Sequence, residues 1–327
     1  MKVLITGATG LLGKEICRQL SKTDKYQLRC LVRSINSQLS PNIEQVEGDI
    51  LDLPSLNKAL DGIELVIHAA AMVSFHKKDK EKLFLTNVEG TANMVNACDN
   101  NKIKKFIHVS SVAALGKPEN ILDPLRETII NEENKWQDSP LNSSYGKSKY
   151  LAELEVWRAQ AEGLKIAIVN PSVILGEGEW QKSSTQLFNY VKKGNKFYSN
   201  GSINYVDVQD VATSIVKLLE NNINAERFIL SAGKLTYKEF FALIAKHLQK
   251  PATSILLKDK LIAFLWRVEA VRSFLTGAKP LITKETSISA KSNFLYDNTK
   301  AKSTLDIKFQ SPEKTIERVS QYLRELK

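Results

Sequence analysis

Two residues four positions apart, Tyr145 and Lys149, carry the chemistry that this sequence indicates most directly. They lie in a stretch with helical periodicity, so the spacing places both side chains on one helix face. A phenol exchanges protons poorly at neutral pH, but an ammonium about 5 Å away, at an effective dielectric constant of about 20, would lower its pKa by about 2 units. The pair therefore predicts a general acid or base. The alternative is a surface tyrosine beside a lysine, because such pairs are common in helices.

A serine hydroxyl is predicted close to this pair. Ser111 follows a predicted strand, and its hydroxyl can donate a hydrogen bond to a carbonyl oxygen while Tyr145 donates a proton. The residues expected to contact a substrate are Ser111, Asn170 at the end of another predicted strand, and Met72 and Val73, which add apolar surface after a third.

A glycine-rich loop follows the first predicted strand and leads directly into a helical pattern. Its glycines, Gly7, Gly10 and Gly13, leave backbone N–H groups open at a helix N-terminus, where the pyrophosphate of a dinucleotide binds. The spacing is G-x-x-G-x-x-G and not the usual G-x-G-x-x-G, so a glycine-rich turn that binds nothing is the alternative. We expect this loop, with Thr9 and Leu11, to hold a dinucleotide cofactor.

The end of the second predicted strand bears on which dinucleotide is used. NAD-preferring sites usually have an acidic residue here for the ribose hydroxyls, whereas this sequence has Arg33, which can pair with a 2′-phosphate. We therefore expect NADP, as NADPH, to be preferred over NAD. An exposed cation without a ligand is the alternative, and use of NAD stays open.

Further residues near the ends of predicted strands complete the expected cofactor site. A carboxylate after the third strand can accept from the adenine amino group, and small side chains after the fourth leave room for the cofactor. A polar residue in the next helical stretch bonds either near the nicotinamide or only locally. These candidates are Asp49, Ile50, Ala69, Ala70, Ala71 and Asn87.

The elements that must position these residues alternate between short β-branched runs and longer helical patterns. Near-continuous apolar strands separated by helices need parallel pairing with both faces covered, which predicts a doubly wound α/β sheet. We expect a cofactor-binding domain at residues 1–170 and a smaller, mostly helical substrate-binding region at 171–327, with a segment at about 203–230 returning to the sheet. The predicted strands are 2–6, 27–32, 42–47, 65–68, 105–110 and 165–170, and the predicted helices are 11–21, 53–60, 79–100 and 143–160.

The composition is that of a globular protein, with 43% hydrophobic and 25% charged residues among 327. Of the formal charge of +10, residues 1–170 carry +1 and residues 171–327 carry +9, scattered singly. We interpret this as a solvated surface and expect no nucleic-acid partner, no stable membrane insertion and a cytoplasmic location. No metal site is expected, because the cysteines and histidines lack ligand spacing. An amphipathic helix at 261–275 could be a pocket lid, a core helix or a surface-binding element.

Together these motifs resemble the extended short-chain dehydrogenases/reductases of the NAD-dependent epimerase/dehydratase family over nearly the whole chain. The resemblance implies a Rossmann-type sheet, catalytic roles for Ser111, Tyr145 and Lys149, and a homodimer through the helices at 79–100 and 143–160. It also implies that Pro171, Ser172 and Val173 lie near the nicotinamide. The motifs are TGATGLLG at 6–13, HVSSVAALG at 108–116, YGKSK at 145–149, NPSV at 170–173, YVDVQDVA at 205–212 and YDNTK at 296–300.

Two departures within this resemblance bear on the substrate. Nucleotide-sugar epimerases commonly have an arginine before the segment that matches Tyr205–Asp207, whereas this chain has Ile203 and Asn204. The pair Asn170–Pro171 is similar to dihydroflavonol 4-reductases. We therefore expect an NADP-dependent reductase of an apolar or aromatic ketone or aldehyde, of the dihydroflavonol-reductase or hydroxysteroid-dehydrogenase type. The alternatives are a nucleotide-sugar epimerase or dehydratase with tightly held NAD, and a non-catalytic dinucleotide sensor that binds a protein partner.

Overall fold

The computed structural model describes residues 1–35, 39–117, 128–180, 184–258 and 294–326. The amphipathic helix predicted at 261–275 lies outside the described residues. Strands and helices are numbered separately along the chain.

A central sheet of parallel strands confirms the predicted Rossmann-type doubly wound fold. Across the sheet the order is β11-β7-β5-β4-β1-β2-β3, so strands are added on opposite sides of β1. Such a reversal opens a crevice at the carboxyl ends of the two strands where it occurs, here β1 and β4. The strands of this sheet are β1 (Lys2–Thr6), β2 (Gln27–Val32), β3 (Glu44–Glu47), β4 (Leu65–His68), β5 (Lys105–Val109), β7 (Ile166–Pro171) and β11 (Glu226–Leu230).

Helices cover both faces of the sheet, which explains why the central strands β4 and β5 are buried at every residue. On one face, Ile16 of the first helix and Ile215 of α7 join the same buried cluster as Ile5 of β1. On the other, Leu56 and Val156 pack with Leu4 of β1 in a second buried cluster. The flanking helices are α1 (Leu11–Leu20), α2 (Leu53–Leu60), α4 (Gly90–Asn100), α5 (Ser144–Ala161) and α7 (Val208–Glu220).

The helix predicted at 79–100 is interrupted in the structure. It consists of a 3₁₀ turn (Lys77–Asp79), helix α3 (Lys80–Phe84), a π-helical turn (Leu85–Glu89) and then α4. The π turn contains Asn87, whose side chain bonds the backbone of Met72 instead of facing solvent. Single π turns within helices often occur at functional sites. The interruption lies beside the segment that follows β4, since Asn87 bonds Met72 there.

Most of the remaining elements form a smaller layer beside the carboxyl edge of the main sheet, whereas the helix that contains Ala301 and Leu305 packs in the first of the two buried clusters. The apolar core of the smaller layer includes Phe188, Tyr205, Phe240 and Ile316. Within this layer, Arg318 of the last helix donates to the buried Asp207 at 2.7 Å. The strands are β6 (Thr128–Ile130), β8 (Val173–Leu175), β9 (Phe197–Tyr198), β10 (Ser202–Asp207), β12 (Gly233–Thr236), β13 (Ile255–Leu256) and β14 (Phe294–Tyr296); the helices are α6 (Thr185–Lys192), α8 (Tyr237–Leu248), α9 (Thr299–Leu305) and α10 (Pro312–Glu325), and the loop after β5 holds the 3₁₀ turn Val112–Leu115.

Two kinds of feature are absent from the described residues. None of the helices in the described ranges is long and apolar enough to cross a membrane. In the same part of the chain, no group of three or more histidine, cysteine, aspartate or glutamate residues is arranged to hold a metal ion. Cys17, Cys30 and Cys98 are free and buried.

Candidate active site

The glycine loop at the end of β1 is shaped by close backbone contacts. Gly7 has a φ of +70°, and a Cβ atom there would lie 2.7 Å from the carbonyl carbon of Ala69. A Cβ atom on Gly13 would lie 2.6 Å from the Cα atom of Ala8. Gly10 precedes α1 without a side-chain cap on the helix, so the first N–H groups of α1 remain available to an anion. The loop can therefore receive a pyrophosphate at the crevice, with Thr9 and Leu11 beside it.

A buried histidine ties the ends of β1 and β4 together at this loop. The Thr91 hydroxyl donates to the Asn87 carbonyl at 2.6 Å, so it must accept from His68 Nε2, 3.2 Å away. The pKa of His68 is lowered by burial to about 3, so the ring is neutral. Its Nδ1 therefore accepts from the Thr6 hydroxyl at 2.8 Å, and Thr6 Oγ1 also accepts from the Ala70 N–H at 3.1 Å. Together with the bond from the Ala69 N–H to the Thr6 carbonyl, this chain of bonds fixes the backbone at Ala69 and Ala70.

The candidates for the adenosine end lie along the same edge of the sheet. Arg33 is exposed beyond β2 and makes no hydrogen bond or ion pair with another described residue. Asp49 follows β3, and one of its carboxylate oxygens accepts from the Leu51 N–H at 2.9 Å. Ile50 is buried, and a Cβ atom on Gly90 would lie 2.5 Å from its Cδ1 atom. Asp49 is thus held in a local turn, and Ile50 forms the packing beneath it.

Asn87 positions the chain after β4. Its Oδ1 accepts from the Met72 N–H at 2.7 Å, while its Nδ2 donates to the Met72 carbonyl at 3.0 Å and to Ser148 Oγ at 2.9 Å. The sequence left open whether Asn87 bonds near the nicotinamide or only locally. In the structure it bonds the backbone of Met72, in the segment after β4. Met72 is thereby attached to α5, the helix that carries Tyr145.

The segment after Met72 presents apolar side chains beside the phenol. The ring of Phe75 meets the ring of Tyr145 edge to face, with centroids 5.9 Å apart. Val73 is 64% exposed. Ser74, which lies between Val73 and Phe75 in the sequence, is held by donating to Asp79 Oδ2 at 2.7 Å. An apolar surface therefore reaches as far as Tyr145.

Ser111 and Tyr145 meet at the carboxyl end of β5. Ser111 begins the 3₁₀ turn, and its Oγ accepts from the Ala113 N–H at 3.2 Å. Burial raises the pKa of the Tyr145 phenol above its ordinary value, and the hydrogen bond with the Ser111 hydroxyl opposes this rise. At neutral pH Tyr145 therefore carries its proton. The structure brings these two hydroxyls within hydrogen-bond distance, an arrangement in which both can reach one carbonyl oxygen.

Lys149 lies on α5 and is fully buried against the end of β5. The sequence predicted that its ammonium lowers the pKa of Tyr145, and in the structure it does not. Its Nζ donates to the Val109 carbonyl at 2.9 Å and lies 3.5 Å from His108 Nε2. Burial lowers the pKa of Lys149 to about 8, against the attraction of the Glu153 carboxylate. The expectation about the phenol was wrong for this structure, because burial of the phenol dominates and the ammonium bonds the sheet.

A buried carboxylate behind these residues was not predicted from the sequence. Glu153 lies one helical turn after Lys149 and accepts from Asn170 Nδ2 at 2.5 Å, while its Oε2 lies 3.6 Å from the guanidinium of Arg227. Burial raises the pKa of Glu153, opposed by hydrogen bonds from Ser110 and Asn170 and by the charges of Arg227 and Lys149. Its i, i+4 spacing from Lys149 was the available signal, but such pairs usually face solvent.

Asn170 joins two strand ends. The same Nδ2 also donates to the Ser111 carbonyl at 3.0 Å, so the amide connects β7 with the loop after β5. Pro171 and Ser172 follow it and are buried, whereas Val173 is 39% exposed. The candidates Asn170–Val173 thus lie at the carboxyl edge beside Ser111, with Asn170 fixing the backbone there.

The fold and the site define a class, the extended short-chain dehydrogenases/reductases. The chain belongs to the NAD-dependent epimerase/dehydratase family, whose model matches residues 3–230. A protein of Synechocystis named "putative dihydroflavonol 4-reductase" is 29% identical over 315 residues, covering 91% of this chain and 87% of that protein. Cinnamoyl-CoA reductase 2 of Arabidopsis thaliana is 28% identical over 263 residues, covering 75% of this chain and 76% of that reductase.

Solved structures agree on the fold over the full length. The crystal structure of gox2253 superimposes with a TM-score of 0.82 at 27% identity, covering 99% of this chain and 98% of that one. UDP-glucuronic acid 4-epimerase from Bacillus cereus, in complex with NAD, gives a TM-score of 0.77 at 20% identity, covering 100% of this chain and 97% of that one. The family is described as NAD-dependent, and the two relatives named above are reductases by name.

Proposed function

We propose that this protein is an NADPH-dependent reductase of ketones or aldehydes, with Tyr145 as the proton donor. The observation that carries the proposal is the protonated Tyr145 phenol, which shares a hydrogen bond with Ser111 beside the apolar Phe75 ring. A group that must donate a proton to an alkoxide needs to hold that proton at the working pH. Burial, which raises the pKa of Tyr145, supports this role in the reductive direction.

The residues at the crevice fit a dinucleotide. Gly7 and Gly13 leave no space for a Cβ atom, and the N-terminus of α1 offers N–H groups without a side-chain cap to a pyrophosphate. The adenosine end would lie at Arg33, Asp49 and Ile50, and the nicotinamide end would lie at Ala69–Ala71 and Pro171–Val173. When bound, NADPH supplies the hydride that the carbonyl carbon accepts.

The side chains of the site divide the remaining work. The Ser111 hydroxyl donates a hydrogen bond to the substrate oxygen, where negative charge develops. The Tyr145 O–H bond breaks as its proton moves to that oxygen, and a phenolate remains. The buried Lys149 ammonium, which donates to the Val109 carbonyl, would hold the nicotinamide ribose, and a proton from water restores the phenol.

The preference for NADPH rests on Arg33. Its guanidinium is exposed at the end of β2 and makes no bond with another described residue, so it can form paired hydrogen bonds with a 2′-phosphate. No acidic residue occupies this position to accept from ribose hydroxyls.

An apolar or aromatic substrate fits the surface next to Tyr145. Val73, Phe75 and Val173 expose hydrophobic side chains near the carboxyl edge. Ile203 is buried in the apolar core of the smaller layer, and Asn204 Nδ2 donates to the Phe294 carbonyl at 2.9 Å. These two residues therefore provide no cation for a sugar-nucleotide phosphate. Aromatic aldehydes, ketones and dihydroflavonols are the substrates to test first.

The test measures NADPH oxidation over this panel for the wild type, Tyr145→Phe and Tyr150→Phe. Tyr150 is a matched control, since it lies on the same helix and stacks on Trp136 with centroids 4.6 Å apart. We expect Tyr145→Phe to lose at least about 100-fold in kcat with cofactor binding retained, because a general acid typically contributes this much or more. Tyr150→Phe should keep its turnover.

Three outcomes would contradict the proposal. Undiminished turnover by Tyr145→Phe would exclude the assigned proton donor. Conversion of UDP- or dTDP-sugars without net consumption of cofactor would identify an epimerase or a dehydratase. Cofactor binding with no turnover of either substrate group would favour a dinucleotide sensor.

A further inference from the structure

His108 contacts the catalytic ammonium but has no part in the steps described so far. It lies in β5, where it pairs with His68 of β4 on one side and Ile168 of β7 on the other. The side chain is fully buried, and its ring stacks on His68 with centroids 5.6 Å apart and an interplanar angle of 25°. The ring of Phe106 stacks on it from the same strand, with centroids 6.5 Å apart.

The hydrogen bonds around His108 define which of its nitrogens carries a proton. A lysine ammonium can only donate, so His108 Nε2 must be the acceptor in its 3.5 Å contact with Lys149 Nζ. Burial, with the nearby charge of Lys149, lowers the pKa of His108 well below its ordinary value, so the ring is neutral. The proton therefore lies on Nδ1, which has no hydrogen-bond partner among the residues that the structure describes.

The two stacked histidines thus have opposite tautomers. His68 carries its proton on Nε2, as its bonds to Thr6 and Thr91 require. A buried N–H without a partner, as on His108 Nδ1, costs about 1–3 kcal/mol. A simpler apolar residue would avoid that cost, so the imidazole contributes something that packing alone does not require.

We propose that His108 is a positioning residue, whose Nε2 lone pair, together with the Val109 carbonyl, holds the Lys149 ammonium in its cationic form at the catalytic centre. Two of the three N–H bonds of the ammonium are then directed at the sheet, and one remains for the ribose. The proposal rests on the proposed reductase function and adds to it the origin of the lysine's position.

Within the described ranges, few other charges face this ammonium. On its own helix the titratable groups are the Tyr145 phenol and the Glu153 carboxylate; on β5 and β4 they are the neutral rings of His108 and His68. Arg227 of β11 faces Glu153 and not Lys149. Loss of the His108 acceptor should therefore change mainly the position and the protonation of Lys149.

The first test compares pH profiles of kcat for the wild type, His108→Phe and His108→Gln. Phenylalanine keeps an aromatic ring but offers no acceptor, whereas the amide oxygen of glutamine restores one. The wild type should lose activity as the pH rises through about 8, where Lys149 loses its proton. In His108→Phe this loss should begin about one pH unit lower, and kcat at neutral pH should fall about tenfold with an unchanged KM for the carbonyl compound.

The controls separate positioning from structure. His108→Gln should return the midpoint toward that of the wild type, and His247→Phe on α8 should leave the profile unchanged. A midpoint that stays at its wild-type value in His108→Phe, whatever happens to kcat or to thermal stability, would overturn the proposal.

A second measurement does not depend on turnover or on the folding of a variant. In ¹⁵N-histidine NMR spectra of the wild type, the proposal requires one buried ring protonated on Nδ1 and one on Nε2, for His108 and His68. If both buried rings were protonated on Nε2, the assignment of His108 as an acceptor would be wrong. Since this result involves no substrate, it distinguishes failure of this inference from failure of the reductase function.

Discussion

Two parts of the crevice are built by opposite means. One is the glycine loop, and the other is the set of buried polar side chains beneath Lys149, here called the floor, which includes Glu153 and Asn170. The loop acts through backbone, since Gly7, Gly10 and Gly13 remove side chains and expose N–H groups. The floor acts through side chains whose polar atoms are buried and bonded across distant parts of the chain, as between Glu153 and Asn170. A backbone site tolerates almost no added atom, whereas a side-chain site fails when one partner is removed.

Substitution of Gly7 should have the largest effect. A Cβ atom there would lie 2.7 Å from backbone atoms of Ala69 and Ala70, and the residue has a φ of +70°. We expect Gly7→Ala to lower the free energy of unfolding by about 3–5 kcal/mol, from overpacking added to backbone strain, and to abolish NADPH binding. Chemical denaturation and NADPH fluorescence measure the two effects.

Gly62→Ala is the matched control for this prediction. Gly62 has a φ of +69°, but no atom of the described residues lies within 4 Å of the position of its Cβ. It should cost only the backbone strain, about 1–2 kcal/mol. Equal losses of stability in the two variants would show that close packing at the loop is unimportant.

Removal of the buried carboxylate should have the next largest effect. Glu153→Ala leaves Asn170 without this acceptor and Arg227 without the buried carboxylate that faces it, so we expect a loss of about 3 kcal/mol in the free energy of unfolding. Glu155→Ala on the same helix removes a partly exposed ion pair with Arg158 and should cost about 0–1 kcal/mol. Similar losses, measured by urea denaturation, would contradict the distinction between the buried floor and the helix surface.

Arg33→Ala should have the smallest effect, confined to cofactor choice. Because alanine cannot pair with the 2′-phosphate, we expect the Kd for NADPH to rise about tenfold, equivalent to about 1.4 kcal/mol, while the Kd for NADH stays the same. Lys22→Ala, which removes an exposed cation after α1, is the control. An unchanged preference for NADPH in Arg33→Ala would mean that another group recognises the phosphate.

The same contrast explains which features were predictable from sequence. The parallel sheet, the glycine loop and the meeting of Ser111 with Tyr145 follow from local patterns, because parallel strands bring their carboxyl ends to one edge. The π turn at Leu85–Glu89 did not follow, since its geometry depends on bonds between Asn87 and a segment elsewhere in the chain. The same holds for Glu153 and for the raised pKa of Tyr145, which depend on burial by several elements.

The Asn170 amide makes two hydrogen bonds, one to the Ser111 carbonyl and one to Glu153. This pair of hydrogen bonds has a consequence for how the enzyme could evolve. It makes the wall of the crevice on the β5 and β7 side one stiff unit, so a bulkier ligand cannot be accommodated there by small backbone shifts. On the opposite wall, Val73 and Phe75 project from a short segment anchored at Met72 and Ser74. New substrate scope would therefore be gained by exchanging those two side chains, while the proton-transfer geometry is inherited unchanged.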